Sequence, residues 1–241
     1  MSKILLLVEG EDTEKRLLKH FYKLYGKDQI EIISYRTEVY TFYKKLKRYM
    51  KQNDLDYSNI DLSMFLYEDS ERIELGDKFN QMDFTDRILV FDFDPHATTY
   101  KKEILIELMI NFSDSTESGK LYLNYPMVES FKDMESLGDK NFMNSTFPKS
   151  KLAKRGYKQH INEQARKNKI NNINKISKDI ARKLIDLHRQ KLEYITKLPA
   201  SNSEKYLQLC QSQCKKLSEE HLMWIINTSI LHLYDEYGPL N

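Results

Sequence analysis

Two stretches decide the fold: KILLLVEG at Lys3–Gly10 and RILVFDFD at Arg87–Asp94. Each is a short unbroken apolar run, the pattern of a strand buried on both faces of a parallel sheet. Each also ends in acid: Val8 leads into Glu9, and Phe91 leads into Asp92-Phe93-Asp94. Outward from the first run, Gly10 precedes a helical pattern over Glu11 to Tyr25, with Leu17, Leu18, Phe21, Tyr22 and Tyr25 on one face. Glu11, Asp12 and Glu14 crowd its first turn, where the helix dipole favours negative charge, and Gly26 is its stop. Ile30 to Ser34 reads as a second strand and Glu38 to Gln52 as a second helix. Leu62 to Leu66 reads as a strand and Ile73 to Gln81 as a short helix. Beyond Asp94, Tyr100 to Phe112 is helical and Lys120 to Leu123 is a further strand. This alternation predicts an α/β fold: a mostly parallel, Rossmannoid sheet flanked by helices, with right-handed crossovers.

From Pro148 onward the strand signals stop. Residues 149–195 read as polar helices with Ile170, Ile173, Ile176, Ile180, Leu184 and Leu187 at three- and four-residue spacing. Pro199 to Ser201 is a loop before a last helical segment over Glu204 to Tyr234. The expected organisation is therefore a sheet-containing part, 1–147, and an all-helical, basic part, 148–241.

With 241 residues, 40% hydrophobic and 12% aromatic, the chain is long enough and apolar enough to bury a core. Only 7 Gly and 5 Pro exclude collagen-like and low-complexity classes. No apolar run reaches the roughly 20 residues that span a bilayer, so no membrane association is expected. Lys3, five apolar residues and then Glu9 are too short and too soon acidic for a signal peptide. Two cysteines, Cys210 and Cys214, cannot build a disulfide framework, which fits a reducing cytoplasm. Four residues apart and without His or Cys neighbours, they do not form a zinc motif either.

The net charge of +2 conceals an asymmetry. Residues 1–140 carry 20 basic against 27 acidic side chains, and residues 141–241 carry 18 against 9. Within 149–191, 14 basic residues face only Glu163, Asp179 and Asp186. Such density holds phosphate backbones by counterion release. Arg155, Lys158, Arg166, Lys167 and Lys169 are the candidate contacts, with Tyr157, His160, Asn171 and Asn172 available for stacking or hydrogen bonds. A merely solvated helix face is the competing reading.

In an open parallel sheet, ligands sit beyond the carboxyl ends of the strands. Alternation points Asp92 and Asp94 the same way, with Phe93 opposite. If the two acid-ended strands are neighbours, Glu9, Asp92 and Asp94 converge. Three such carboxylates repel unless a cation neutralises them, and hard oxygen ligands suit Mg²⁺ or Mn²⁺. A helix cap is the ordinary alternative for any one of these acids taken alone.

LLLVEGEDTEK followed later by ILVFDFDP resembles the TOPRIM domain, shared by type IA topoisomerases, bacterial primases, OLD-family nucleases and small RloB-like proteins of phage defence. The resemblance covers roughly residues 1–135 and places the family's glutamate and glycine at Glu9 and Gly10, and its Asp-x-Asp at Asp92 and Asp94. A glycine often follows that motif in the family, whereas Pro95, His96 and Ala97 stand here. LYLNYPMVESF, Leu121–Phe131, resembles the strand and N-x-P-x-x-E stretch of the small defence proteins, which makes Glu129 a further metal-site candidate. His96 is the histidine nearest the site and a candidate general acid.

The resemblance implies a Mg²⁺- or Mn²⁺-dependent nuclease acting on RNA, tRNA included, or on DNA, as a cytoplasmic anti-phage effector. Similarity to the effector of PARIS-type systems implies a partner ATPase that keeps the nuclease latent, and a homodimer is expected. Two other readings stand beside it. One is a haloacid-dehalogenase-like phosphatase with Asp92 as nucleophile and Asp94 as acid. The other is a non-catalytic nucleic-acid-binding module.

Overall fold

The first apolar run forms β1 (Ile4–Val8), buried at every position. The structure, a computed structural model, describes residues 4–27, 30–69, 84–152, 156–168, 170 and 172–240. β1 is followed by α1 (Thr13–Leu24), β2 (Ile30–Ser34) and α2 (Val39–Gln52). Then come α3 (Leu62–Glu68), β3 (Asp86–Asp92), α4 (Lys102–Asn111), the short β4 (Ser113–Asp114) and β5 (Gly119–Asn124). The sheet order is β2-β1-β3-β5-β4, parallel throughout except for the β4–β5 edge pair. The chain is thus an α/β protein with a mostly parallel five-stranded sheet flanked by helices.

The register brings the two acid-ended strands side by side: Val8 stands opposite Val90, and Asp92 opposite Asn124 on β5. Side chains alternate as an extended chain requires. Phe91 and Phe93 are both fully buried, Phe91 against Phe42 of α2 with ring centroids 5.2 Å apart. Phe42 also meets Phe65 of α3 at 5.8 Å, so α2 and α3 cover that face. On the other face, Tyr22 of α1 and Tyr122 of β5 pack on His232.

The expected strand at Leu62–Leu66 is instead α3. Asp61 Oδ1 accepts the Ser63 N–H at 2.8 Å and the Met64 N–H at 3.3 Å, capping a helix whose buried residues Leu62, Phe65 and Leu66 follow i, i+3, i+4. Four apolar residues in a five-residue stretch do not distinguish strand from helix, and the cap decides it. The Ile73–Gln81 helix falls outside the described residues.

The C-terminal part is not all-helical. β6 (Thr146–Pro148) pairs antiparallel with β7 (Leu222–Trp224), and Tyr125 bridges to Ile226. Between them lie α5 (Lys149–Leu152), α6 (Gly156–Asn168), α7 (Lys178–Thr196) and α8 (Lys205–Glu219), and α9 (Leu231–Tyr237) follows. The continuous helix read over 204–234 breaks at His221, whose φ of 56° lies in the left-handed region. Beyond it the burial of Leu222 to Ile225 alternates with period two, a strand's pattern. One buried apolar cluster joins Leu6, Leu89 and Leu123 of the sheet to Leu184, Leu209 and Leu233 of the C-terminal helices. Among the described residues, no helix is long and apolar enough to cross a membrane.

Candidate functional site

Glu9 is the first residue after β1, and its own N–H still pairs with the Val90 carbonyl at 3.2 Å. Its Oε2 accepts the Asp92 N–H at 3.0 Å, so the two acids meet at the carboxyl ends of adjacent strands. Asp92 Oδ1 accepts the Asn124 Nδ2–H at 3.4 Å. Asn124 is fully buried, and its Oδ1 accepts the Thr228 and Ser229 N–H groups at 3.2 and 3.1 Å. The segment after β7 therefore fixes the amide that orients Asp92.

Two further acids complete the cluster. Glu14, in the first turn of α1, is buried and folds back over Gly10: a Cβ at Gly10 would lie 2.2 Å from Glu14 Oε2. Gly10 is thus needed for close approach, and its N–H donates to the Glu14 carboxylate. Glu129, in a 3-10 helix at Val128–Lys132, is buried with Oε2 lacking any hydrogen-bond partner. Its Oε1 lies 3.5 Å from Lys158 Nζ.

Burial and mutual repulsion govern the charges here. Burial first, then Glu14, Asp94 and Glu38, push Glu9 up to about 8 against the opposing Asp92 N–H. Burial, then Glu9, Glu14 and Glu129, push Asp92 well above the usual carboxylate range. Glu14 is raised by burial and by Glu129, with Lys158 opposing. Asp94 points the same way as Asp92 but is exposed, and its Oδ1 accepts the His96 N–H at 2.8 Å.

The donor set fits a hard divalent cation: all-oxygen, over-charged, and including one orphaned buried carboxylate oxygen. Glu9 and Asp92 could hold it, with Glu14 and Glu129 adjacent. Among the described residues, no three His, Cys, Asp or Glu side chains already stand in ligand geometry. The carboxylates are engaged by separate donors: Asp92 N–H for Glu9, Gly10 N–H for Glu14, His96 N–H for Asp94 and Lys158 for Glu129.

Of the expected basic contacts, Lys158 reaches the cluster, half-exposed at its rim. Lys132 lies within electrostatic range of Glu129, Lys158 and Arg16, and Arg16 itself pairs with Asp12 at 3.0 Å. Arg166 and Lys167 fall in the last turns of α6, and Arg155, Lys169 and Asn171 lie outside the described residues. Tyr157 is no stacking platform: it is buried, and its hydroxyl donates to Asp133 Oδ2 at 2.8 Å. His160 Nε2 reaches Asp133 Oδ1 at 3.0 Å. Asn172 caps the short 3-10 turn Ile173–Lys175. His96 Nε2 donates to the Lys149 carbonyl at 2.8 Å, tying the Asp94 loop to α5.

Sequence reasoning gave Glu14 a favourable place at a helix start and at most a water-mediated contact to a metal, and gave Asn124 no role. The signal for Glu14 was the four-residue step from Gly10, and for Asn124 its place opposite Asp92 in the Leu121–Phe131 stretch. Comparison of the chain with protein-family models, with curated proteins and with solved structures finds no match.

Proposed function

We propose that the chain is a divalent-metal-dependent phosphodiesterase of the TOPRIM kind that cuts RNA or DNA. The observation that carries this reading is the juxtaposition of Glu9 and Asp92 at the ends of adjacent in-register strands, with Glu14 and Glu129 beside them. Mg²⁺ or Mn²⁺ bound there would supply Lewis-acid activation of water and of the scissile phosphate. Glu9 and Asp92 would hold the ion, Asn124 keeps Asp92 in register, and Gly10 leaves room for Glu14. Lys158, with Lys132 in electrostatic range of it and of Glu129, gives the cluster a basic edge that would position the phosphates of a bound strand. A carboxylate cluster with a cationic rim suits an anionic phosphodiester better than a neutral substrate.

The test incubates purified protein with total RNA, tRNA and plasmid DNA in Mg²⁺, Mn²⁺ or EDTA, beside Glu9→Gln and Asp92→Asn. Cleavage in metal alone, lost in both variants while their circular dichroism is unchanged, is the expected result. Toxicity of the expressed wild type and of Glu9→Gln covers a latent enzyme that needs a partner ATPase. No cleavage in any metal, together with equal toxicity of the two proteins, would sink the reading.

A further inference from the structure

A cavity of about 580 Å³ lies between α4 and α8, lined by Tyr100, Lys102, Lys149, Cys214, Lys215 and Leu217 among others. Its size is that of a small-molecule site. Lys102, Lys149 and Lys215 have no ion-pair partner among the described residues, and Glu219 is the one acid in the lining. Three ammonium groups against one carboxylate leave two positive charges, the complement of a phosphomonoester at neutral pH, which carries ~1.5–2 negative charges. Tyr100, Ile106 and Leu217 form an apolar, partly aromatic section of the remaining wall, beside the polar Gln211 and Ser218. Tyr100 is fixed edge-on to Phe93 at 5.9 Å, and its hydroxyl donates to Cys214 Sγ at 3.8 Å.

We propose that this cavity binds a phosphorylated nucleoside, its phosphate on Lys102, Lys149 and Lys215 and its base against Tyr100 and Leu217. The occupant is a free nucleotide or the phosphorylated end of a nucleic-acid strand, which share this chemistry. The site is separate from the carboxylate cluster and does not depend on how that cluster is used. The two are nevertheless joined, because the loop between Phe93 and Lys102 carries Asp94 and His96 and ends in Tyr100, a wall of the cavity. His96 in turn holds the carbonyl of Lys149.

Cys214 supplies a reporter that needs no catalysis. Hydrogen bonding with Cys210, with help from Tyr100 and Lys102 and against burial, holds its thiol below the ordinary value, whereas the same hydrogen bond, then burial, raise Cys210 well above it. Iodoacetamide labelling of the full-length protein, with the site assigned by fragment-ion mass spectrometry, follows Cys214 against Cys210. AMP and ADP, a 5′-phosphorylated dinucleotide, unphosphorylated adenosine and inorganic phosphate are each added, and calorimetry measures their binding directly. Saturating nucleotide or dinucleotide is expected to slow Cys214 labelling by about fivefold or more, with adenosine and phosphate much weaker. Lys102→Ala and Lys215→Ala, both at exposed positions, are expected to weaken that protection by about tenfold with an unchanged melting temperature. Protection by the dinucleotide alone assigns the strand end, and protection by free nucleotides assigns the small molecule. Equal protection by inorganic phosphate, or neither protection nor heat from any nucleotide, would overturn the proposal. If Cys214 does not react at all, calorimetry alone decides it on the same terms.

Discussion

Glu9 holds its place through one acceptor contact, to the Asp92 N–H, and not through its charge. Glu9→Gln keeps an acceptor there and removes a group whose ionisation burial and the neighbouring acids oppose, so the metal-free protein should melt no lower than wild type in calorimetry. A clear drop would mean that the carboxylate is stabilised by something other than its neighbours here. Gly10→Ala acts differently. Its methyl meets the flexible end of Glu14, so the fold should lose less than ~1 kcal/mol in urea titration. Glu14 is displaced, however, and the Mn²⁺-induced rise in melting temperature should shrink. An unchanged Mn²⁺ response would take Glu14 out of the site. Asn124→Ala strips the acceptor from two buried amides, those of Thr228 and Ser229, and should cost about 2–5 kcal/mol on the usual scale for unsatisfied donors. A cost below about 1 kcal/mol, measured by denaturation, would show that water replaces the lost oxygen.

At the scale of elements, α7 ties the C-terminal part to the 3-10 helix beside the site. His188 on α7 is fully buried, accepts the Asn227 N–H on Nδ1 at 3.0 Å and faces the Phe131 carbonyl through Nε2 at 3.4 Å. Burial, then the Lys191 charge, depress it to about 3 against the weaker pull of the Phe131 carbonyl. His232 on α9 is held at about 4 by burial and by Lys120, opposed by the Ser229 carbonyl and Asp235. At these two imidazoles the unfolded chain therefore binds more protons than the folded one between about 3 and 6.5, while the raised Glu9, Asp92 and Glu14 act with the opposite sign. Stability from these two groups is complete above 6.5 and is lost as pH falls through that window, by up to ~1.4 kcal/mol per group per pH unit. The difference between the wild-type and His188→Gln urea-midpoint profiles isolates one group's share, because the raised carboxylates are common to both. No difference across the window would mean that His188 is not buried neutral. These contacts also show why the sequence was only partly legible. β1 and β3 are buried on both faces, so their apolar runs announced them, and their acids followed at the carboxyl ends. α3 was misread because the four apolar residues of Leu62–Leu66 suit either period, and the cap at Asp61 settled it. β7 was misread because Leu222, Trp224, Ile225 and Ile226 also satisfy a helical spacing. Its strand depends on a partner, Thr146–Pro148, distant in sequence. Asn124 could not be given its role, because the amides that hold it come from residues 228 and 229.

For the whole molecule, the charge asymmetry overstates the free cations of the C-terminal part. Lys191 is fully buried on the Ser145 carbonyl and hydroxyl at 2.8 and 2.6 Å. Arg182 Nε donates to the Leu240 carbonyl at 2.9 Å, and Arg189 pairs with Glu193 at 3.0 Å. Lys158 of the C-terminal part lies 3.5 Å from Glu129 of the carboxylate cluster. The two parts therefore share one site as well as one core. Residues 221–240 supply β7, the Ile226 bridge to Tyr125, the amides on Asn124 and the His232 ring on Tyr22. Without them the Asn124 oxygen, Tyr22 and much of the apolar face under α9 would meet water, together at a cost that is a large part of a domain's net stability. A fragment of residues 1–147 should accordingly lack a cooperative urea transition and dispersed amide resonances, although it keeps β1, β3 and every proposed metal ligand. If that fragment instead unfolds cooperatively, the sheet has a self-sufficient core, and the contacts from 221–240 serve to shape the site rather than to hold the fold.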